Sequence, residues 1–418
     1  MNKLRIGLIG LGTVGCGVYK TLEHIDNVEI VKVAVKNLNK QRSVDVPAEM
    51  LTGDPYEVVN NPSIDVVVEL IGGVNPAWDY ISTAIKNGKH IVTANKELLA
   101  KKGEELFNLA EEHNRVCLYE AAIAGGIPII MPIKTILAGN KINKIQAILN
   151  GTTNYILTKM DADGASYEDV LKEAQQLGYA ETDPTGDVEG FDAMYKITTL
   201  ATIAFNSRVK VENVYREGIT KIRKEDILRA NELGFKIKLI ANATIDENNN
   251  ADVRVHPMLV PKNNMLAHID YVTNSVAITG HPIGHIVLSG PGAGEFPTAS
   301  SVVGDILAIA REFNTTDYLL PMMRCHHHST ANPVKIEDTY NKYYLSITAP
   351  NAIGVIAKIG TICANKDISL SSILQKGVEA DNTAEITVIT EMCLEKKIRE
   401  VVSELDNCTV NSIIRVAN

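Results

Sequence analysis

At 418 residues, 45% of them hydrophobic, the chain is too long for one ordinary domain and apolar enough to give each of two or three domains its own core. A formal net charge of −9 and an isoelectric point near 5.7 exclude a nucleic-acid surface or an anionic membrane as the expected partner, and no apolar run reaches the ~18 residues of a membrane span. Six cysteines stand far apart with no CxxC pair, so no disulfide framework or zinc ribbon is indicated, and Met1-Asn-Lys-Leu-Arg runs straight into a strand without room for a signal peptide, which points to the cytoplasm.

Leu4–Ile9 reads as a strand, followed at once by Gly10-Leu-Gly12-Thr-Val-Gly15 and a helix to about Leu22. Strand, glycines and helix in that order match a dinucleotide fingerprint. Gly10 permits the tight turn, Gly12 lets the backbone approach a pyrophosphate, Gly15 lets helix and strand pack closely, and the helix N-terminus attracts the anion. A second strand, Glu29–Val35, ends at Lys36-Asn37, with Lys40 and Arg42 beyond. An NAD site usually places Asp or Glu here for the ribose hydroxyls; cations suit a 2′-phosphate, so NADP(H) is expected over NAD(H).

Asp65–Glu69 reads as a doubly buried strand ending at Gly72-Gly73, and His90–Thr93 as another, tipped by Ala94-Asn95-Lys96. Lys96 there reaches either a cofactor phosphate or a substrate carboxylate, or simply starts the helix of residues 97–112. After a strand at 115–119, Glu120-Ala-Ala-Ile-Ala-Gly125-Gly126-Ile-Pro128 turns the chain out of the nucleotide domain. A carboxylate followed by small residues and two glycines suits either a plain loop or a ring of oxygens around a hard cation.

From Pro128 the pattern changes to a helix, a strand at 144–149, a polar turn Asn150-Gly-Thr-Thr-Asn-Tyr155 and a helix at 167–177. Then comes Gly178-Tyr-Ala-Glu-Thr-Asp-Pro-Thr-Gly-Asp-Val-Glu-Gly190, a turn-rich loop ahead of a buried helix at 191–205. Asp192 and Lys196 stand at i and i+4 on one face of that helix. Five carboxylates around one lysine are expected to favour its ammonium form and raise its pKa; Asp183 and Glu189 are expected to be solvated. Strands near 235–243, 251–257, 271–278 and 285–289 suggest a mixed or antiparallel sheet, and an amphipathic helix at 298–313 is expected to return to the nucleotide domain.

The predicted layout is a Rossmann-like doubly wound α/β nucleotide domain (1–128), an α+β substrate-binding and dimerisation domain (129–297), a linker (319–342) and a small ferredoxin-like βαββαβ module (343–418). Cys325-His326-His327-His328 lies in the linker; adjacent residues on regular structure cannot all face one metal.

Gly10–Gly15, Thr93–Lys96, Glu120–Pro128, Asn150–Tyr155 and Gly178–Pro184 with Asp187, Asp192 and Lys196 resemble, in order over about residues 1–320, the homoserine dehydrogenases; the tail resembles an ACT domain. The resemblance implies reversible reduction of L-aspartate 4-semialdehyde to L-homoserine. Lys196 is then the acid and base, with Asp192 and Asp187 orienting it or binding substrate. Glu181 takes the substrate ammonium, Thr152 and Tyr179 lie near the amino acid, and Lys96 sits between substrate and cofactor. Thr13, Val14, Gly178, Gly292 and Gly294 contact the cofactor. A sodium ion is implied at Glu120 with the carbonyls of Ile123, Gly125 and Ile127. The tail implies L-threonine as effector, in a module whose removal leaves activity, and both units favour a homo-oligomer. Ala122 and Thr182 depart from the family pattern without removing a reacting group, while Asn351-Ala-Ile-Gly354 departs where ACT domains often carry Asp-x-Pro-Gly. The competing reading is a non-catalytic sensor of nucleotide and amino acid. An acyl-phosphate-forming relative needs an activated thiol, which neither Cys16 nor Cys117 supplies.

Overall fold

The computed structural model describes residues 3–316, 318–325, 327, 329–377 and 382–417. Six short strands, β1 (Leu4–Ile9), β2 (Val28–Ala34), β3 (Leu51–Thr52), β4 (Val66–Glu69), β5 (His90–Thr93) and β6 (Cys117–Leu118), pair in parallel in the order β3-β2-β1-β4-β5-β6. Val66, Val67 and Val68 are wholly buried, as a strand covered on both faces requires. Helices α1 (Thr13–Leu22), α2 (Ala77–Lys86) and α3 (Lys96–Glu112) link these strands. The strand order reverses between β1 and β4, which opens a crevice at their carboxyl ends. Register then lines up what borders it: Ile9 is level with Glu69, and Glu69 with Thr93.

The second unit contributes β7 (Lys141–Ile148), α4 (Gly151–Asp163), α5 (Tyr167–Gln176), α6 (Phe191–Phe205), α7 (Lys224–Glu232), β8 (Phe235–Ile245), β9 (Asn250–Pro261), β10 (Thr273–His281) and β11 (Gly284–Pro291). Its sheet runs β11-β10-β7-β8-β9 and is antiparallel throughout. The polar turn expected at 150–155 is instead the start of α4. Asn150 caps it by accepting from Thr153 N at 2.8 Å, and Thr153 through Thr158 are all buried, so the helix shows no one-sided apolar stripe to announce it. The next helix, α8 (Glu295–Glu312), packs back onto α1, as expected for the return to the nucleotide unit. Gly17 makes this approach possible: a Cβ there would lie 2.7 Å from the Glu295 carbonyl oxygen.

The third unit runs β12 (Tyr340–Pro350), α9 (Val355–Asn365), β13 (Leu370–Lys376), β14 (Thr383–Thr390), α10 (Glu395–Glu404), β15 (Thr409–Val416), the βαββαβ order read from sequence. It is not a detached module. β15 pairs with β9, matching Met258 to Arg415 and Leu259 to Val416, so the second and third units share one sheet, β11-β10-β7-β8-β9-β15-β12-β14-β13. Alternation along β12 serves both sides: Tyr343 lies in the core of the third unit, while its neighbour Tyr344 lies in the core shared by the first two. No helix among the described residues is long and apolar enough to cross a membrane.

Candidate active site

The fingerprint turn is shaped for an anion. Gly10 has φ +104°, and a Cβ at Gly15 would lie 2.3 Å from the Gly10 carbonyl oxygen, so both positions admit only glycine. Nothing stands within 4 Å of where a Cβ on Gly12 would point, and no side chain caps α1. The first-turn amides of Thr13, Val14 and Gly15 thus face open space at the positive end of the helix, which fits a dinucleotide pyrophosphate. At the end of β2, Lys36 is exposed, while the Arg42 guanidinium donates to the carbonyls of Asn37 and Lys40 at 2.6 and 2.7 Å.

Further along the crevice, Glu69 is fully buried and organises two loops at once. Oε1 accepts from Ile71 N and Gly72 N, and Oε2 from the Thr93 hydroxyl at 2.6 Å. Thr93 in turn accepts from Asn95 N, whose amide donates to Gly73 O and caps α3 through Leu98 N. Lys96, the first residue of α3, is thereby aimed across the crevice at α6.

There the charges meet in a cleft of about 330 Å³ lined by Lys96, Glu181, Asp187, Asp192, Gly72 and Gly73. Asp192 is buried and shared: Oδ1 receives Lys96 Nζ at 2.6 Å and Oδ2 receives Lys196 Nζ at 2.6 Å. Lys196 Nζ also donates to the Leu149 carbonyl at 2.7 Å, and Asn150 Nδ2 ties Asp187 and Asp192 together at 2.6 and 3.0 Å. Burial works against the Asp192 carboxylate, but Lys196 and Lys96 overcome it and hold the group well below the usual carboxylate range. Asp192 in turn raises Lys96. Lys196 goes the other way from the sequence expectation. Burial, with the second cation Lys96 beside it, pulls its ammonium below 10.5 despite Asp192. The carboxylates were counted correctly; the desolvation of a lysine enclosed by α6 and β7 outweighs them. Asp187 is raised, by burial and then by Asp192.

The other expected residues take varied places. Thr152 Oγ1 donates to Tyr179 O at 2.7 Å, so these two come together beside Asp187, while the Tyr179 ring, half exposed, packs 4.9 Å from that of Tyr155. Gly178 ends α5 in the left-handed region, at φ +77°. Asp183 is exposed at the cleft rim and caps Thr185. Glu189 keeps a part-exposed side chain, as expected, and also receives the Thr220 hydroxyl at 2.9 Å and lies 3.6 Å from the Arg216 guanidinium. Gly292 and Gly294 form a tight turn that abuts Gly125, where a Cβ would lie 2.2 Å from the Gly292 carbonyl oxygen. The carboxylate of Glu120 acts as a cap, accepting from the amides of Ile129, Ile130 and Met131. His326 and His328 lie outside the described residues; Cys325 takes hydrogen bonds with Tyr119 and Lys134, and among the described residues no group of three His, Cys, Asp or Glu could hold a metal. Cys117 is buried and its thiol is pushed well up, and Cys16 is buried as well.

Glu69, Asn95 and Asn150 are the functional neighbours that sequence reasoning missed. Each had a faint local signal. Glu69 closes an otherwise apolar parallel strand, and the two asparagines stand one residue before a helix, where a side-chain oxygen caps the first turn.

Comparison with known proteins agrees with this geometry. Residues 10–140 match the homoserine dehydrogenase NAD-binding domain, 128–307 the homoserine dehydrogenase domain, and 343–409 the ACT domain. The homoserine dehydrogenase of Synechocystis is 42% identical, with 99% of each chain covered. A homoserine dehydrogenase structure from Thiobacillus denitrificans superposes with a TM-score of 0.93 at 38% identity, covering 100% of this chain and 99% of its own. A hyperthermophilic archaeal homoserine dehydrogenase in complex with NADPH gives 0.65 at 27% identity, covering 74% and 98%.

Proposed function

Given that the chain belongs to the homoserine dehydrogenases, NAD(P)-dependent oxidoreductases acting on a CH–OH group, we propose the following division of labour for the interconversion of L-homoserine and L-aspartate 4-semialdehyde. The observation that carries it is the Asp192 carboxylate held 2.6 Å from both Lys96 and Lys196 at the mouth of the nucleotide crevice. When bound, the nicotinamide supplies or accepts the hydride. Lys196 Nζ gives a proton to the aldehyde oxygen during reduction and takes it from the hydroxyl during oxidation. Its lowered pKa suits both directions, because bringing the ammonium and the amine closer in free energy lowers the cost of exchanging the proton. Asp192, anchored by Asn150, fixes the lysine. Lys96, kept cationic by Asp192, is placed to meet the substrate carboxylate or a cofactor phosphate. Glu181 and Asp187 receive the substrate ammonium, with Thr152 and Tyr179 bordering the amino acid.

Homoserine-dependent reduction of NADP⁺ by the pure protein tests the reaction. In Lys196→Ala we expect kcat to fall at least ~100-fold, the lower end for removing a general acid or base. Turnover retained in that variant removes Lys196 from the role.

Preference for NADP(H) is supported by Lys36 and by Arg42, whose guanidinium is already fastened beside the end of β2; the archaeal relative's NADPH complex accords with it. Lys36→Asp is expected to move the kcat/KM ratio towards NAD⁺, and an unchanged ratio counts against this reading. A sodium ion, if held at the 120–127 loop, takes the carbonyls of Glu120, Ile123, Gly125 and Ile127, with the Glu120 carboxylate shaping the loop from behind. L-threonine as effector, cytoplasmic placement and a homo-oligomer complete the proposal; β11 and β13 end the shared sheet and give edges that a second copy can cover.

A further inference from the structure

The Cys325 thiol sits in a cluster that no catalytic step uses. Its sulfur lies 2.8 Å from Lys134 Nζ and 2.9 Å from the Tyr119 hydroxyl. Three stretches meet there: Tyr119 follows β6, Lys134 ends the short helix Ile130–Lys134, and Cys325 lies on the segment that joins α8 to β12. Lys134 is held from two more sides, donating to the carbonyls of Met323 and Arg324 at 2.7 and 3.2 Å. No carboxylate pairs with it among the described residues, so a sulfur atom stands where a lysine usually keeps an acidic partner. The contact is close for its type. A lysine ammonium can only donate and sulfur is larger than oxygen, yet 2.8 Å falls within the ~2.7–3.2 Å of an N–H···O bond. Burial, with Cys325 beside it, pushes the Tyr119 hydroxyl well up, so it stays protonated and offers a donor to the same sulfur. Cys325 and Lys134 are only partly buried, which leaves dissolved oxygen a way in.

We infer that Lys134 and Cys325 become covalently joined through one oxygen atom, Nζ–O–Sγ, when the protein meets dioxygen. One thiol, one ammonium and one dioxygen give the bridge, one water and one proton. The S–H bond and two N–H bonds break, and S–O and O–N bonds form. Sulfur and nitrogen each lose two electrons, and dioxygen takes up all four. The sulfur stops at the sulfenic level, the rung of its oxidation that thiols reverse.

The bridge ties together residues 191 positions apart and fastens the segment leading to the third unit against the boundary of the first two. A link that closes so long a stretch of chain restrains the unfolded state, so the joined form unfolds at higher temperature than the reduced one. Neither the chemistry nor this consequence depends on the dehydrogenase reading.

The test uses the full-length protein, purified without air in dithiothreitol, freed of reductant and divided, with one half then exposed to air. Intact mass and peptide mapping follow. In the aerated half we expect a species heavier by about 14 Da, one oxygen gained and two hydrogens lost, located in a cross-linked pair of peptides that hold Lys134 and Cys325. Dithiothreitol should return it to the starting mass, which lysine methylation would not allow, and its Tm should exceed that of the reduced half. Cys325→Ser and Lys134→Arg should each abolish the species; the map of the parent protein decides the matter even where a variant fails to fold. The inference is overturned by a gain of about 16 or 32 Da confined to Cys325, a sulfenic or sulfinic acid, or by a loss of about 2 Da from a Cys117–Cys325 disulfide. An unchanged mass in air, or survival of the heavier species in Lys134→Arg, overturns it equally.

Discussion

Two opposed demands meet on Lys196: it must be charged to protonate an aldehyde and neutral to accept the proton of an alcohol. Its enclosure by α6 and β7 brings the two forms closer in free energy, since burial penalises the ammonium more than Asp192 rewards it. The sign follows directly. Oxidation of homoserine requires the neutral amine, so kcat is expected to climb with pH through a midpoint below 10.5, the lysine's ordinary value; reduction requires the ammonium and falls over the same interval. Lys96, raised by Asp192, stays charged throughout. Profiles of kcat in both directions check this, and a midpoint at or above 10.5 would contradict it. Lys196, Asp192 and Glu181 were legible because they are local in sequence, an i, i+4 pair and a loop that precedes it. The direction of the lysine's shift was not, because what buries it comes from β7 and α3, distant in sequence. Asn150 was hidden for the same reason. Its cap serves a helix without an apolar stripe, and its grip on Asp187 and Asp192 exists only once the start of α6 lies beside the start of α4.

At the scale of elements, the fingerprint glycines separate into two kinds. Gly15 is enclosed: a Cβ would meet the Gly10 carbonyl, which cannot yield without disturbing the Gly10 N bond to Ala34 O at 2.9 Å. Gly12 meets nothing. Gly15→Ala is accordingly expected to cost ~1–3 kcal/mol of stability, the range for overpacking, and to lower Tm. Gly12→Ala should leave Tm in place and weaken NADPH binding in a fluorescence titration, because its methyl group projects into the space a pyrophosphate takes. Equal effects on Tm from both substitutions would refute the distinction. The strand-glycine-helix order made α1 and β1 legible in advance, and the valine run did so for β4. Helix α4 escaped notice because it is buried nearly all round, and α7 because a short, charged nine-residue helix carries little periodic signal.

At the scale of the whole molecule, the linker and the βαββαβ pattern suggested a detachable sensor, and the structure shows a shared sheet instead. Sequence pattern marks where a strand begins but not which edge it joins, and the pairing of β15 with β9 joins two units read separately. The third unit also furnishes Ser412 and Tyr344 to the fully buried Asp226, and Glu385 to Arg229. Removing residues 340–418 would bare the β9 edge together with the apolar residues that Tyr344, Ile414 and Val416 cover. We expect the truncated protein to melt at lower temperature and to self-associate in light scattering; a monodisperse product with the parent Tm would restore the detachable module.

The placement of β15 also bears on how the chain is made. β15 sits between β9 and β12 in the sheet, yet it leaves the ribosome long after β9. Through that interval the open side of β9 and the apolar positions beneath it are exposed in a nascent chain whose nucleotide unit, built from sequence-local βαβ steps, is already able to form. Synthesis therefore passes through a stage in which the edge of β9 is unpaired and its apolar positions uncovered, an aggregation-prone state that only the last strand of the chain ends.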